Sequence, residues 1–372
     1  MTEISATVPS ARTDLIGRDD VVTEVRDRMF GPKPVVTIVG TGGIGKTSVA
    51  LTVARLLLDA FEQRVTFVDL TGVSRSEDVP AAIAAALRIR VDTASAVETA
   101  LTDALRFRSS LMVLDNFEHV IDAADHVGRL VAACPSLRVL VTSRTSLSLR
   151  AEDVYELAPL PVASVSSAGV RLFEQCARAV LPSFRITDHN QRSIVELCTR
   201  LDGLPLAIEL AAARAAVLSP GALLERLFKA GRDGGAGGGL RLLAGGPREM
   251  PTRHRALQDT IDWSYELLDE EHRRLLLRLA IFDGGWTMDA AEAVGRSGPE
   301  ADGLAVLEGV QVLVRHHLVA VDDDTASPAA SASAGRFGPR FRLLETIREF
   351  AVERQSIEFG DEERAELRAA HT

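Results

Sequence analysis

The chain has 372 residues, of which 46% are hydrophobic and 25% are charged, a composition typical of globular proteins with two or three domains. Its formal net charge of −10 argues against a main surface for nucleic acid, because phosphate backbones require a basic stripe. No apolar run approaches the roughly 18 residues of a membrane span, and the first residues lack a signal-peptide pattern. We therefore expect a cytoplasmic protein with no membrane partner. The three cysteines lack the spacing of a disulfide framework or a zinc site.

Residues 35–150 alternate short, β-rich apolar runs with helical patterns. We predict helices at Thr47–Leu58 and Ala81–Leu87, and strands at Val35–Val39, Val65–Val68, Leu111–Leu114 and Val139–Val141. Continuous apolar runs, in which residues that face either side of the sheet are apolar, are typical of parallel strands covered by helices on both faces. This half of the chain is therefore predicted to form an α/β domain on an open parallel sheet.

The second half has mainly helical patterns. We predict two further strands at His317–Val321 and Arg340–Leu344, joined by the loop 322–338, and helices at Gly169–Ala179, Gln191–Arg200, Ala256–Leu268, Glu270–Ala280 and Gly303–Val314. The glycine-rich stretch Gly231–Gly246 is predicted to be a flexible joint. The predicted organisation is a nucleotide-binding α/β domain at 1–155, an α-helical domain at 156–230, a linker at 231–247, a winged-helix domain at 248–355 and a tail at 356–372.

One motif gives the first domain its expected chemistry. It matches G-x-x-x-x-G-K-[ST] between a predicted strand and a predicted helix, and it consists of Gly40, Thr41, Gly42, Gly43, Ile44, Gly45, Lys46 and Thr47, followed by Ser48. In such a loop, backbone amides surround the phosphates of ATP or ADP, Lys46 bridges the β- and γ-phosphates, and the Thr47 hydroxyl binds Mg²⁺. The alternative is a chance glycine-rich turn, against which the strand–loop–helix context argues. The sequence therefore predicts a P-loop NTPase sheet.

Acidic residues follow the third predicted strand. Asp115 ends the run LMVLD, and a carboxylate at this end of a neighbouring parallel strand faces the Mg²⁺ site, which it is expected to bind through water. The next position holds Asn116, an amide that cannot accept a proton, where many hydrolysing ATPases have a second acid. Glu118 is a candidate catalytic base, and a helix N-cap is the alternative reading. An ordinary turn aspartate is the alternative for Asp115.

Arg144 closes the fourth predicted strand, VLVTSR. At that end of the sheet an arginine could reach the γ-phosphate and distinguish ATP from ADP; a surface salt bridge is the alternative. One charge-assisted hydrogen bond contributes about 1.5–3 kcal/mol, whereas moving a two-state population from 1:99 to 99:1 takes about 5.5 kcal/mol. A nucleotide switch therefore needs contacts in addition to those of Arg144.

These residues occur with three further segments, Leu15–Asp19, Gly203–Ala207 and Phe341–Arg348. In this order and spacing they resemble the STAND class of signal-transduction ATPases, and within it the bacterial transcriptional-regulator branch related to NB-ARC domains. The resemblance covers about residues 14–355. It implies that Ile16, Gly17 and Arg18 lie along the adenine and ribose, and that Pro205 packs against the adenine. From the residues alone, Gly203-Leu204-Pro205 is a helix-start signal with proline in the first turn.

The chain departs from the NB-ARC pattern at one position. The family's winged-helix motif carries a histidine that touches the β-phosphate of ADP and holds the closed state. Leu344 takes that place here, and Glu345 takes the place of the aspartate that follows. Because leucine cannot donate to a phosphate, any closed state must be held by other residues.

Direct DNA binding by the predicted winged helix is not expected. The segment in the place of a recognition helix, Ala301–Val314, contains Asp302 and Glu308 and no lysine or arginine. A helix that enters a DNA groove needs donors for bases and phosphates. We therefore expect this part of the chain to cover the nucleotide instead.

Three functions from different classes remain open. The first is an ATP/ADP switch with slow hydrolysis, self-assembly on ATP and an effector protein of unknown identity. The second is an enzyme, either a P-loop kinase or a fast ATPase, although the modules at 165–355 are large for a kinase lid. The third is a nucleotide-binding module that does not hydrolyse ATP.

Overall fold

The computed structural model describes residues 8–9, 15–90, 97–228, 257–282, 285–295, 303–316, 318–322, 339–360, 363–364 and 366–367. They fall into two compact units: the first comprises Met1–Gly40 and Ile44–Ala158, and the second comprises Thr41–Gly43 and Pro159–Thr372. The predicted joint at 231–246 and nearly all of the predicted loop at 322–338 lie outside the described residues. No helix among the described residues is long and apolar enough to cross a membrane.

The first unit contains a five-stranded sheet in the order β2-β3-β4-β1-β5, and every neighbouring pair of strands is parallel. The strands are β1 (Val35–Val39), β2 (Val65–Asp69), β3 (Ser110–Asp115), β4 (Leu137–Ser143) and β5 (Glu152–Glu156). The first four confirm the sequence prediction, because their apolar runs are buried against helices on both faces. β5 was not predicted. Its sequence EDVYE lacks an apolar run, since an edge strand keeps part of its surface in solvent.

Five helices and two short 3-10 segments complete the described part of the first unit. The 3-10 segments are Ser76–Asp78 and Phe117–Ala123, and the helices are α1 (Asp19–Arg28), α2 (Lys46–Leu56), α3 (Val79–Ala86), α4 (Val97–Leu105) and α5 (Ala124–Ala133). A core of apolar side chains from α3, α4, α5 and strands β2, β3 and β4 surrounds the fully buried Phe117. This packing fixes the carboxyl ends of β3 and β4, where the candidate acidic and basic residues lie.

The second unit is mainly helical, as predicted. Its elements are α6 (Ala168–Val180), α7 (Gln191–Arg200), α8 (Pro205–Ala212), α9 (Pro220–Phe228), α10 (Leu257–Glu266), α11 (Glu270–Leu279), α12 (Met288–Gly295), α13 (Gly303–Arg315), β6 (Val319–Asp322), β7 (Arg340–Leu343) and α14 (Glu345–Glu358). Strands β6 and β7 pair antiparallel, and the backbones of Trp286 and Phe341 exchange hydrogen bonds of 2.7 and 2.8 Å beside them. Helices and an antiparallel strand pair are the components of a winged helix, which itself remains a prediction.

Helix α13 differs from its predicted bounds in one respect that concerns charge. It ends at Arg315 and not at Val314, so its last turn carries one arginine that the predicted segment lacked. Positions 301 and 302, which include Asp302, lie outside the described residues. A single arginine beside Glu308 does not make the basic surface that DNA requires, so the expectation about DNA stays as stated.

Candidate functional site

The loop Gly40–Thr47 joins β1 to α2, the strand–loop–helix arrangement that its motif requires. Gly45 is the N-cap of α2 and adopts φ 98° and ψ 21°, a left-handed conformation that glycine tolerates and other residues avoid. The ammonium Nζ of Lys46 donates to the Gly40 carbonyl at 2.7 Å. Lys46 therefore ties together the two ends of the loop that the sequence assigns to phosphate.

The surroundings of Lys46 lower its pKa to about 8. The main cause is desolvation, because an ammonium group that has lost its water is harder to keep charged. The carboxylates of Glu118 and Asp115 act in the opposite direction, whereas the nearby cation Arg144 lowers the pKa further. Four of the predicted charged residues are thus close enough to influence one another.

Asp115 lies at the carboxyl end of β3, and two hydroxyl groups hold its Oδ1 atom. Thr47 Oγ1 donates to it at 2.8 Å and Thr142 Oγ1 at 2.5 Å. Asp115 is 1% exposed, so these hydrogen bonds offset much of the cost of burying its charge. Thr142 received no role from the sequence, because only the pairing of β3 with β4 brings it beside Asp115.

Asn116 has a left-handed backbone, with φ 63° and ψ 53°, a conformation that asparagine accepts more readily than most residues. Its backbone N–H donates to Thr142 Oγ1 at 3.1 Å, and its side-chain Nδ2 donates to Asp115 Oδ2 at 2.7 Å and to Thr71 Oγ1 at 3.3 Å. The amide at this position therefore orients the neighbouring carboxylate, a contact that an acid could not make as a donor.

Glu118 and Arg144 form an ion pair inside the first unit. Arg144 Nε donates to Glu118 Oε1 at 3.2 Å, and the two side chains are 3% and 4% exposed. Desolvation lowers the pKa of Arg144, and Glu118 opposes that shift. The surface salt bridge considered for Arg144 is therefore wrong, since the pair is buried. The N-cap reading of Glu118 is also wrong: the N-cap residue of the 3-10 segment is Asn116.

The segment before β1 contacts the loop Gly40–Thr47 through Arg18. Arg18, which is 6% exposed, donates from a terminal guanidinium nitrogen to the Ile44 carbonyl at 3.3 Å. Gly17 precedes it with a left-handed φ of 66°. The predicted backbone role of Ile16 beside adenine stays a prediction, but the Arg18 contact links this segment to the loop. No sequence signal identified that contact.

The loop after β2 also reaches this edge of the sheet, which the sequence did not indicate. His119 Nε2 lies 2.9 Å from the carbonyl oxygens of both Leu70 and Val73. The hydroxyl and backbone N–H of Thr71 donate to Asp69 Oδ1, and the same hydroxyl accepts from Asn116. These hydrogen bonds fix the β2–α3 loop to the segment that carries Asp115 and Glu118.

Pro205, predicted to pack against adenine, belongs to the second unit, where it is the first residue of α8. The Leu206 amide donates at 3.2 Å to the carbonyl of Gly43, which belongs to the same unit. Asp202 lies just before, with a φ of 55°, and its Oδ2 accepts from the backbone N–H of Thr346 at 3.2 Å and from the Thr346 hydroxyl at 3.0 Å. The adenine contact of Pro205 remains a prediction.

The donor set suits a magnesium ion. Mg²⁺ prefers hard oxygen ligands, and a hydroxyl and a carboxylate are the groups that it commonly takes from proteins beside phosphate oxygens. The distance of 2.8 Å between Thr47 Oγ1 and Asp115 Oδ1 means that both oxygens face the same small volume. Thr47 would bind the ion directly, and Asp115 would bind it through water.

Known proteins are similar to this chain over most of its length. A family model described as the NB-ARC domain matches residues 18–156. The chain is 38% identical over 340 residues to a Mycobacterium tuberculosis protein named as a candidate HTH-type transcriptional regulator, Rv0890c; this match covers 91% of the chain and 35% of that protein. It is 34% identical over 346 residues to the uncharacterized protein Rv0894 of the same organism, covering 92% of the chain and 82% of Rv0894.

A regulatory protein of Streptomyces and a solved ATPase structure are also similar to the chain. The regulatory protein AfsR of Streptomyces griseus is 29% identical over 223 residues, which cover 58% of the chain and 22% of AfsR. Among solved structures, the Walker-type ATPase PABY2304 of Pyrococcus abyssi aligns with 92% of the chain and 98% of its own length, at a TM-score of 0.54 and 12% identity. The chain thus spans about a third of the length of its relative Rv0890c. The chain belongs to the family of these mycobacterial proteins, and its residues 18–156 form an NB-ARC domain.

Proposed function

We propose that the chain binds ATP and ADP and uses the exchange between them as a conformational switch. One observation carries this proposal: Lys46, Thr47, Asp115 and Arg144 converge at the carboxyl ends of three neighbouring parallel strands. Ligands of open α/β sheets bind at that edge. The loop amides and Lys46 would hold the phosphates, and Arg144 would recognise the γ-phosphate. Mg²⁺, when bound, would neutralise phosphate charge.

Hydrolysis is expected to be slow. In the reaction, a water oxygen bonds to the γ-phosphorus, the bond to the β–γ bridging oxygen breaks, and ADP and inorganic phosphate form. A carboxylate must orient the water and accept its proton. Asn116 cannot do so, and Glu118 is engaged by Arg144 at 3.2 Å. A carboxylate oxygen that accepts from Arg144 is not available to orient a water molecule while that contact lasts.

A switch needs a second element whose state depends on the nucleotide, and the second unit offers one. Asp202 binds the N-terminal turn of α14 through Thr346. Carboxylates are favoured at that position by the helix dipole and by the unpaired N–H groups. We propose that this contact contributes to the closed state, in which Leu344 replaces the histidine of other NB-ARC proteins. The relatives' names favour a role in transcriptional regulation, and ATP-dependent self-assembly would transmit the signal to an effector protein.

The test begins with the nucleotide. The purified chain is heated, the released nucleotide is identified by chromatography, and ADP affinity is measured by calorimetry with Mg²⁺. We expect retained ADP and a larger particle mass with a non-hydrolysable ATP analogue than with ADP, measured by light scattering. Lys46→Ala should weaken ADP binding by about 10- to 100-fold, since it removes a charge-assisted contact.

Lys33→Ala is a matched control, because Lys33 donates to the Glu152 carbonyl outside the loop. It should leave ADP affinity unchanged. Equal ADP affinity in Lys46→Ala and the unmodified chain would refute the proposal. Rapid turnover with phosphate transfer to a small acceptor would favour a kinase. If the chain binds ATP but releases no inorganic phosphate, and Glu118→Gln does not change this result, a module that does not hydrolyse ATP would be favoured.

A further inference from the structure

The Glu118–Arg144 pair joins two residues with different expected tasks. Glu118 follows β3 and Arg144 follows β4, and these strands are direct neighbours in the sheet. Both side chains are at least 96% buried, and one hydrogen bond of 3.2 Å connects them. A buried ion pair has lost most of its water, so either partner becomes costly to bury if the other leaves it. Arg144 will therefore exchange Glu118 only for another anion.

The second carboxylate oxygen of Glu118 is also informative. Glu118 Oε2 is buried and has no hydrogen-bond partner among the described residues. Buried polar atoms are normally paired with protein or water, so an unpaired carboxylate oxygen indicates that another group completes this site. The ammonium of Lys46 feels the charges of both Glu118 and Arg144. Asp115, three residues before Glu118, accepts from Thr47 of the loop. It also accepts from Thr142, two residues before Arg144. The pair therefore lies at the same edge of the sheet as the loop that is expected to hold the β- and γ-phosphates.

We propose that Glu118 determines the preference of the site for ADP over ATP, by competing with the γ-phosphate for the guanidinium of Arg144. This inference rests on the proposed nucleotide binding. ADP has no γ-phosphate and leaves the pair intact. ATP brings an anion that can bind Arg144 only if Glu118 gives up its hydrogen bond or shares the guanidinium, which has five donors in a fixed plane. Part of the binding free energy of ATP is then spent on this exchange.

The exchange also gives Glu118 its second task. While Arg144 is held, the carboxylate cannot approach a water molecule freely. Once Arg144 turns to the γ-phosphate, the carboxylate is released beside the reacting group, where it orients the attacking water. The same two side chains thus serve recognition of the γ-phosphate and hydrolysis: they bind each other without ATP, and with ATP Arg144 binds the phosphate while Glu118 binds the water. In this scheme Glu118 touches Arg144 before ATP binds and the water afterwards.

The test measures affinities for ADP and for a non-hydrolysable ATP analogue by calorimetry, so no turnover is needed. Glu118→Gln keeps the size of the side chain but removes its charge, and a neutral amide is a weaker partner for arginine. We expect the ratio of analogue affinity to ADP affinity to rise about tenfold, the value of one charge-assisted hydrogen bond. Glu118→Asp, which keeps the charge but shortens its reach, should raise the ratio by less.

A double variant separates competition from simple repulsion. If Glu118 acts through Arg144, adding Glu118→Gln to Arg144→Met should not change the ratio further. A rise of equal size in that background would mean that Glu118 only repels phosphate through space, and it would overturn the inference. So would an unchanged ratio in Glu118→Gln, which is the result expected for a residue that serves only as a base.

The inference and the proposed function can fail separately. If the unmodified chain binds neither nucleotide, the proposed function fails. If it binds both, and the ratio of analogue affinity to ADP affinity is the same in Glu118→Gln and Glu118→Asp as in the unmodified chain, only the inference fails. Far-UV circular dichroism and the urea-unfolding midpoint of each variant provide the control for folding, and only variants that unfold as cooperatively as the unmodified chain enter the comparison of affinity ratios.

Discussion

In the first compact unit, polar side chains that follow neighbouring strands lie together at the carboxyl edge of the sheet. In the second unit, polar side chains form hydrogen bonds between segments that are far apart in the sequence. Asp115 and Thr47 belong to the set in the first unit. In the second unit, Asp202 binds Thr346, and the Tyr265 hydroxyl donates to Glu358 Oε2 at 2.8 Å. The first arrangement places charged and hydroxyl groups of three strands at one edge of the sheet. The second joins segments that are far apart in the sequence through a small number of hydrogen bonds each.

The difference also has an electrostatic side. In the first unit the charged groups of Lys46, Glu118 and Arg144 are buried near one another, so under the proposed function a bound phosphate would change the partners of all three. In the second unit the carboxylate of Asp202 accepts from the first turn of α14, where the helix dipole favours a negative charge. Variants of the first unit should therefore alter binding most, and variants of the second should alter stability and opening most.

The largest expected effect concerns Gly203. Its φ is +64°, and an added Cβ would lie 2.3 Å from the Leu160 carbonyl oxygen, a clash with backbone that no rotamer relieves. Gly203→Ala should destabilise the second unit by about 3 kcal/mol or more, combining backbone strain with that clash. Urea unfolding measures the loss. Gly360→Ala is the control, because nothing lies within 4 Å of its added Cβ; an equally small effect at Gly203 would contradict the described turn.

The next effect concerns Thr142, which holds Asp115 and Asn116 together. Thr142→Val removes the hydroxyl from a fully buried position and leaves two groups without their partner. We expect a loss of about 1–3 kcal/mol in the free energy of unfolding and weaker Mg²⁺-dependent ADP binding in calorimetry. Thr52→Val, on the surface of α2 where the hydroxyl bonds only to the Ser48 carbonyl at 2.9 Å, should change neither. Normal Mg²⁺-dependent binding in Thr142→Val would show that Asp115 needs no such support.

A smaller effect is expected where Asp202 caps α14. Asp202→Asn keeps a residue that tolerates the left-handed backbone but removes the charge, and Thr346→Val removes the hydroxyl alone. Each should lower stability by about 1 kcal/mol, and the double variant should lose less than the sum, because the two groups contact each other. Each should also speed the release of a fluorescent ADP analogue. Additive losses would mean that the pair makes no net interaction.

The smallest effect concerns the thiols. Burial raises the pKa of Cys198 and of Cys176 to about 12, and Glu209 adds to the shift at Cys176. At pH 8 only about one thiol in ten thousand would be ionised, so iodoacetamide should leave both unmodified in the folded chain, as read by mass spectrometry. Because the unfolded thiols ionise more easily, the stability from these burials should decline above about pH 9. Rapid labelling of Cys198 at pH 8 would indicate that the second unit opens spontaneously.

The sequence by itself determined the parallel strands β1 to β4, the helical second half and the glycine-rich loop between β1 and α2. Local sequence patterns predict these features: apolar runs bounded by turns predict the strands, helical periodicity predicts the helices, and glycines at fixed distances from a lysine predict the loop. The sequence also selected Asp115, Glu118 and Arg144 as candidates, since polar residues at the ends of buried strands point to the functional edge of such a sheet, and their functional roles stay predictions.

Only the tertiary structure decided how those residues are paired. The edge strand β5 has no apolar run to reveal it, and Thr142, Asn116 and Arg18 make hydrogen bonds to partners far away in the sequence. The same holds for the Glu118–Arg144 pair and for the contact of Asp202 with Thr346. Local patterns record which face of an element is buried. Which side chains meet is set by strand order and helix packing, because these bring residues from distant parts of the chain within hydrogen-bonding distance.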